Sequence, residues 1–142
     1  LLPGDAFGQG KVRELVKEIG LYIELPARTC YAEAFFGQAV EPLIKERART
    51  ELLAGFATLK RNGKFAPYVA GEQMTLADLM FVFSVDLACA VGKKVLNLDF
   101  LEDFPQARAL LELLGENPHM AKIRADKEAA MPAFLQMISK RK

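Results

Sequence analysis

The amino-acid sequence predicts an all-α fold, a helical bundle of about six helices around a central buried helix. Apolar residues recur at steps of three and four along most of the chain, and no segment alternates apolar and polar residues as a half-buried strand does. One run, residues 79–91, is apolar on nearly every face, which is typical of a helix inside a protein. With 142 residues, one domain spanning 1–142 is the default prediction.

The first predicted helix carries apolar side chains at helical spacing from Val12 to Phe35. Pro26 lies inside this stretch. Because proline lacks a backbone N–H, we expect a kink in the helix axis near Tyr22–Leu25. Gly37 is expected to end the helix and to open a loop.

A second helix is predicted from about Pro42 to Arg61, because Asn62-Gly63 is a strong C-terminal stop. A loop over residues 64–71 then leads to the next helix. The spacing predicts that one face of the second helix points inward, with the aliphatic stem of the lysine lying along it: Leu52, Leu53, Phe56, Leu59 and Lys60.

The strongest local signal is the start of the third helix, where Thr75 and Asp78 form a predicted helix cap. In this capping box the Thr75 hydroxyl accepts from the Asp78 backbone N–H, and the Asp78 carboxylate accepts from the Thr75 N–H. A buried helix end needs such partners because water does not reach its backbone donors.

Asp86 interrupts the apolar run, and an unpaired buried carboxylate is costly, so we expect it to have a partner. Gly92 is expected to end the helix.

The C-terminal third of the sequence predicts a connector and three further helices. Residues 93–103 contain enough apolar side chains to pack down on the core. Pro105 is expected at the first turn of a helix that ends at Gly115. Pro118 and Pro132 are each expected to begin another short helix.

The composition argues against several classes of function. A net charge of +1 gives no electrostatic case for nucleic acid or an acidic membrane surface. The longest apolar run is too short to span a bilayer. Cys30 and Cys89 form no C-x-x-C motif, and His119 is the single histidine, so no metal site is predicted. Free, reduced thiols suit a cytoplasmic protein.

The order of these elements resembles one known family. A long kinked helix, a second helix, a cap that runs from Gly71 to Asp78, a buried apolar helix, and then Phe104-Pro105 and Asn117-Pro118 follow one another. This order resembles the C-terminal helical domain of cytosolic, bacterial glutathione S-transferases, over essentially the whole chain. In that family the capping box nucleates the central helix of the domain.

The resemblance implies that this chain is the C-terminal part of a longer enzyme. The opening Leu1-Leu2-Pro3 resembles the end of the linker between the family's two domains, so we expect an absent N-terminal thioredoxin-like domain. That domain carries the glutathione site and the residue that activates the thiol, so no catalytic residue is expected in this chain. The intact homodimer would conjugate or isomerise small electrophilic substrates with glutathione, and the fragment alone is expected to be inactive.

The resemblance also implies that the first helix contributes substrate-binding side chains. The expected residues are Tyr22, Pro26, Arg28 and Thr29. Arg28 offers a planar fork that suits a glutathione carboxylate. The structural alternatives are a core tyrosine for Tyr22 and a solvated helix charge for Arg28.

Two alternative functions remain at the level of the sequence. The same helical domain also occurs in non-catalytic protein-interaction modules of translation-factor subunits and synthetase-associated proteins. An unrelated helical bundle is the third possibility. If the family's first domain is missing, an exposed apolar patch on or near the kinked helix is expected where that domain would pack.

Overall fold

A computed structural model of the chain describes residues 1–140, and its regular structure there is helical apart from an isolated β-bridge between Tyr68 and Gly71. The predicted all-α fold is confirmed. The chain divides into two compact units, one ending at Leu110 and one starting at Leu111. The helices are α1 (Ala6–Ile19), α2 (Leu25–Arg28), α3 (Tyr31–Phe36), α4 (Pro42–Asn62), α5 (Leu76–Val91), α6 (Pro105–Gly115) and α7 (Pro118–Ser139), with π-helical segments at Gly20–Glu24 and Gly92–Leu96.

Where the kink is predicted, the helix departs from α-helical geometry: the π-helical segment Gly20–Glu24 joins α1 to α2. The Leu25 N–H donates to the Gly20 carbonyl, five residues back instead of four. Pro26 has no N–H to offer, so the Tyr22 carbonyl lacks the donor that an α-helix would supply. The missing N–H of Pro26 therefore explains the wider, π-helical turn that precedes it.

The first helix does not run unbroken to Phe35, and that part of the prediction is wrong. The chain turns between α2 and α3, where the Thr29 and Cys30 N–H groups donate three residues back, to the Pro26 and Ala27 carbonyls. The Thr29 hydroxyl also donates to the Pro26 carbonyl at 2.7 Å. These bonds provide donors for the last carbonyl groups of α2, so α2 ends here and α3 begins as a separate helix.

The second predicted helix is confirmed as α4, but one residue of its inner face is wrong. Leu52, Phe56 and Leu59 are buried at steps of four and three, whereas Leu53 is 49% exposed. Successive residues of a helix point about 100° apart, so Leu53 cannot share the direction of Leu52. Lys60 is exposed, and its Nζ donates to the Asp103 carbonyl.

The capping box at the start of α5 is confirmed in both directions. The Thr75 N–H donates to Asp78 Oδ2 at 2.7 Å, and the Ala77 N–H donates to the Thr75 hydroxyl at 3.2 Å. Asp78 is fully buried, and its Oδ1 accepts from the Val69 N–H at 2.9 Å. The same carboxylate therefore caps the helix and ties the preceding loop to it, which accounts for a charge in the core.

Helix α5 is central to the first unit, but one strip of it is open to solvent. The inner side buries large apolar residues, including Phe81, Val85 and Val91. Asp86 is exposed, so the premise that it is buried and needs a partner is wrong. The open strip consists of side chains at helical spacing that are half-buried or exposed: Leu76, Leu79, Met80, Phe83 and Leu87.

The predicted connector packs down as expected, although α5 does not simply stop at Gly92. The chain continues into the second π-helical segment, and Leu96, Phe100 and Leu101 are buried. The Arg49 guanidinium donates to the Leu96 carbonyl at 2.6 Å. This contact satisfies a carbonyl at the end of the segment and links it to α4.

In the second unit, the two short helices predicted after Gly115 are one helix. Helix α7 begins after Asn117, whose side chain accepts from the His119 N–H at 2.9 Å. It continues through Pro132, which lies inside the helix. A proline removes one hydrogen bond and strains the preceding turn, but it does not end a helix whose other residues favour helical structure.

Candidate functional site

The predicted site residues lie on two different sides of the kinked helix. Tyr22, Pro26 and Thr29 are spaced by four and three residues and line one cavity, whereas Arg28 lines a separate groove. The same spacing, shifted by two residues, places Glu24 and Tyr31 in the groove with Arg28. A shift of two residues rotates a helical side chain by about 200°, which explains the separation.

The first of these depressions, the α1–α4 cavity, lies between the first π-helical segment with α2 and helix α4. Its volume is about 970 Å³, and it is lined by Leu21, Tyr22, Leu25, Pro26, Thr29, Ile44, Arg47, Ala48, Glu51, Ala54, Gly55 and Thr58. At its mouth Leu21, Tyr22 and Leu25 are each more than half exposed. The kinked helix therefore carries an exposed apolar patch, and the expectation that the N-terminal domain packs on it stays a prediction.

The backbone approaches closely at the floor of the α1–α4 cavity. A Cβ at Gly55 would lie 2.1 Å from the Tyr22 carbonyl oxygen, so this position requires glycine. The oxygen is the one that Pro26 deprives of its helical donor. It lies against the Gly55 backbone, so the kinked helix and α4 approach each other closely at this point.

The second depression, the α1–α5 groove, lies between the kinked helix and the open strip of α5. Its volume is about 680 Å³, and it is lined by Val16, Glu24, Arg28, Tyr31, Leu76, Leu79, Met80, Phe83, Ser84 and Leu87. One wall is thus the open strip, an apolar surface. The other wall carries a carboxylate, a guanidinium and a phenol.

A chain of polar contacts crosses this groove from α5 to the rim. The Ser84 hydroxyl donates to Glu24 Oε2 at 3.0 Å, and Glu24 Oε1 lies 3.7 Å from Arg28 Nη1. Ser84 is 3% exposed, whereas the Arg28 side chain is 61% exposed. The arginine therefore keeps its donors available to solvent or to a bound anion.

Tyr31 is the least satisfied polar side chain of the groove. Its hydroxyl is buried and has no hydrogen-bond partner among the described residues. Burial raises the pKa of Tyr31, the Glu24 carboxylate raises it further, and Arg28 lowers it. The phenol is therefore protonated at neutral pH, and an unbonded buried donor of this kind costs about 1–3 kcal/mol.

Three polar residues of the groove were not predicted from the sequence: Glu24, Tyr31 and Ser84. The first two share the four-and-three spacing with Arg28, so the position of the arginine was a sufficient signal. In α5 the expectation of a buried polar residue was placed on Asp86. Within the apolar run of residues 79–91 the buried polar residue is Ser84, because it faces the kinked helix while Asp86 points outward.

Residues 24–118 match the model of the glutathione S-transferase C-terminal domain, which is more than half of the chain. The chain belongs to this family. It is also 80% identical, over 138 residues, to a curated glutathione S-transferase of Pseudomonas putida. That match covers 97% of this chain and 63% of the relative, so the chain spans less than two thirds of the length of the protein it matches.

Within this glutathione S-transferase C-terminal domain, neither cysteine has the properties of a nucleophile. Cys30 is fully buried, and burial raises the pKa of its thiol. Burial, followed by the charges of Asp86 and Asp99, raises the pKa of Cys89 to about 12. Both cysteines are free, as predicted, and both are protonated at neutral pH.

The described part of this domain shows no metal-binding cluster and no membrane-crossing helix. Among residues 1–140, His, Cys, Asp and Glu side chains do not come together in groups of three or more that would hold a metal ion. No helix in the same range combines the length and the hydropathy needed to cross a bilayer. His119 is exposed on the first turn of α7.

Proposed function

We propose that this chain is the electrophile-pocket half of a cytoplasmic glutathione S-transferase. The intact protein conjugates or isomerises small electrophilic compounds with glutathione. Membership of the family and the identity with the Pseudomonas putida relative support this proposal. Both thiols of the chain are protonated, which supports the assignment of thiol activation to an N-terminal thioredoxin-like domain, and this chain contributes no catalytic residue.

The substrate pocket is proposed to be the α1–α5 groove. The observation that carries this assignment is that the groove combines an apolar wall with an exposed guanidinium, Arg28, which is linked through Glu24 to the buried Ser84. The open strip suits the apolar body of an electrophile. Arg28 suits a carboxylate of glutathione, which it contacts in the bidentate geometry that its planar fork allows.

The open strip is also the proposed contact with the N-terminal domain, which would cover part of the groove. The α1–α4 cavity, with its exposed apolar mouth, is the proposed contact with a second copy in a homodimer. Tyr22, Pro26 and Thr29 share this cavity. The prediction that they contact the electrophile therefore competes with the dimer assignment. The variants Leu76→Ala and Leu21→Ala separate the two.

The proposal is tested by measuring glutathione conjugation of a generic aromatic electrophile. The full-length protein is expected to turn over, and residues 1–142 alone are expected to give only the background rate. Turnover by residues 1–142 alone would show that thiol activation lies in this chain. A full-length protein that binds neither glutathione nor the electrophile would favour the interaction-module alternative.

A further inference from the structure

Ser84 is a buried hydroxyl in the apolar part of α5 that follows the capping box. It is 3% exposed and donates to Glu24 Oε2 at 3.0 Å. A buried hydroxyl that is not hydrogen-bonded lowers stability, so this contact holds both side chains in one arrangement. The second carboxylate oxygen of Glu24 is thereby directed toward Arg28, whose Nη1 lies 3.7 Å away.

We propose that Ser84 and Glu24 are positioning residues that orient the Arg28 guanidinium for an anionic group of bound glutathione. The inference rests on the proposed function, which places a glutathione carboxylate on Arg28. It adds that the arginine is prepared for this contact from inside the protein, by a hydroxyl on α5 that the ligand never touches.

The physical basis is the conformational entropy of a long, exposed side chain. An arginine that samples many rotamers loses that freedom when it binds, and the loss weakens binding. A carboxylate that is itself held in place restricts the rotamers before the ligand arrives. Glu24 is so held, because Ser84 anchors it and because it ends the π-helical segment two residues before Pro26, whose ring fixes the local backbone.

The Glu24–Arg28 pair differs from another acidic–basic pair of the kinked helix, which lies on α1. Lys11 and Glu14 are 2.9 Å apart on α1, and both side chains are more than half exposed. The Glu24 side chain is only 31% exposed and has a buried donor behind it. Exposed pairs contribute little to stability, so the value of the Glu24–Arg28 pair lies in orientation.

The test is a double-mutant cycle in the full-length enzyme, with Ser84→Ala, Arg28→Gln and the combined variant. The KM for glutathione and the kcat with a fixed aromatic electrophile are measured for each. Arg28→Gln is expected to raise the KM for glutathione about tenfold, and Ser84→Ala about threefold. In the Arg28→Gln background, Ser84→Ala is expected to add less than about twofold, because no guanidinium remains to be oriented.

Glu24→Gln provides a second route if Ser84→Ala disturbs the packing of α5. The glutamine amide oxygen still accepts from Ser84, but the charge that attracts Arg28 is gone, so the KM for glutathione is expected to rise by about the same threefold. Glu14→Gln is the matched control, since it also removes a carboxylate from a pair on the same helix. It is expected to leave the KM within about twofold.

The outcomes separate this inference from the proposed function. If Ser84→Ala leaves the KM unchanged, or raises it by the same factor with and without Arg28, the positioning role is wrong while the Arg28 contact stands. If Arg28→Gln itself leaves the KM unchanged, the glutathione contact proposed above is wrong. A lower kcat and melting temperature at unchanged KM would show that Ser84 is only structural, which also overturns the inference.

Discussion

The α1–α4 cavity and the α1–α5 groove lie on opposite sides of one kinked helix, and their polar groups are arranged differently. In the cavity, Arg47 pairs with Glu51 on the same helix at 2.7 Å. In the groove, Ser84 on α5 reaches across to Glu24, and the far end of the chain of contacts is the exposed Arg28. Arg47 binds its glutamate directly through Nε on the protein surface, whereas the Arg28 guanidinium stands at the end of a chain of contacts that begins at a buried hydroxyl.

The two depressions also differ in how their floors are held. The cavity depends on backbone proximity, with Gly55 against the Tyr22 carbonyl. The groove depends on side chains, and one of these, Tyr31, has a buried hydroxyl with no partner among the described residues. This difference predicts that substitutions on the cavity side change stability or assembly, whereas substitutions on the groove side change ligand binding.

The largest effect is expected for Gly55→Ala in the full-length protein. The added Cβ would lie 2.1 Å from the Tyr22 carbonyl oxygen and force the kinked helix away from α4. We expect the free energy of unfolding to fall by about 3 kcal/mol, measured by chemical denaturation. Gly10→Ala is the control, because a Cβ there meets open space on α1 and should stabilise by about 0.5–1 kcal/mol. Equal stability of the two variants would contradict the close approach.

A smaller effect, on binding, is expected from a comparison of Arg28→Gln with Arg47→Gln. Both substitutions remove an arginine that has a glutamate four residues away on the same helical stretch. The affinity for glutathione, measured by titration calorimetry, should fall about tenfold for Arg28→Gln and less than about twofold for Arg47→Gln. The reverse order would move the ligand to the α1–α4 cavity.

The apolar walls can be compared by replacing one leucine in each depression. Leu76 belongs to the open strip and is 38% exposed, and Leu21 is at the mouth of the cavity and is 51% exposed. Leu76→Ala should raise the KM for a bulky apolar electrophile about fivefold, because the apolar contact that it removes contributes about 1 kcal/mol to binding. Leu21→Ala should leave that KM unchanged and weaken self-association in analytical ultracentrifugation. An increase in KM for Leu21→Ala alone would support the sequence prediction for Tyr22, Pro26 and Thr29.

The smallest effect is expected for Tyr31→Phe. Removing a buried hydroxyl that has no partner takes away a desolvation cost and loses no hydrogen bond within the described residues. The melting temperature should therefore rise, corresponding to about 1 kcal/mol, the lower end of the cost of an unbonded buried hydroxyl. A clear fall in melting temperature would show that the hydroxyl has a partner in the folded protein.

Local rules at particular residues made most of the fold predictable from the sequence. Thr75 and Asp78 specify the start of α5 by side-chain chemistry alone, and Pro26 specifies the kink because it lacks a donor. The sequence did not predict the break at Thr29–Cys30 or the continuation of α7 through Pro132. Both depend on how neighbouring turns satisfy their hydrogen bonds, which spacing does not show.

The site was less predictable because it required knowing which direction each side chain takes. The predicted residues Tyr22, Pro26 and Thr29 do share a face, as their spacing implies, but Arg28 lies on another. Ser84 could not be found by looking for charged residues, because a single serine in an apolar helix forms no recognisable sequence motif. Its contact with Glu24 joins residues sixty positions apart and appears only once α5 packs on the kinked helix.

The most direct test of the central claim is a crystal structure of the full-length protein with a non-reactive S-alkyl glutathione conjugate. The account predicts that the alkyl group lies along the open strip, against Phe83, with a glutathione carboxylate within hydrogen-bonding distance of Arg28. A conjugate seated in the α1–α4 cavity against Tyr22 and Thr29, with the groove empty, would contradict it.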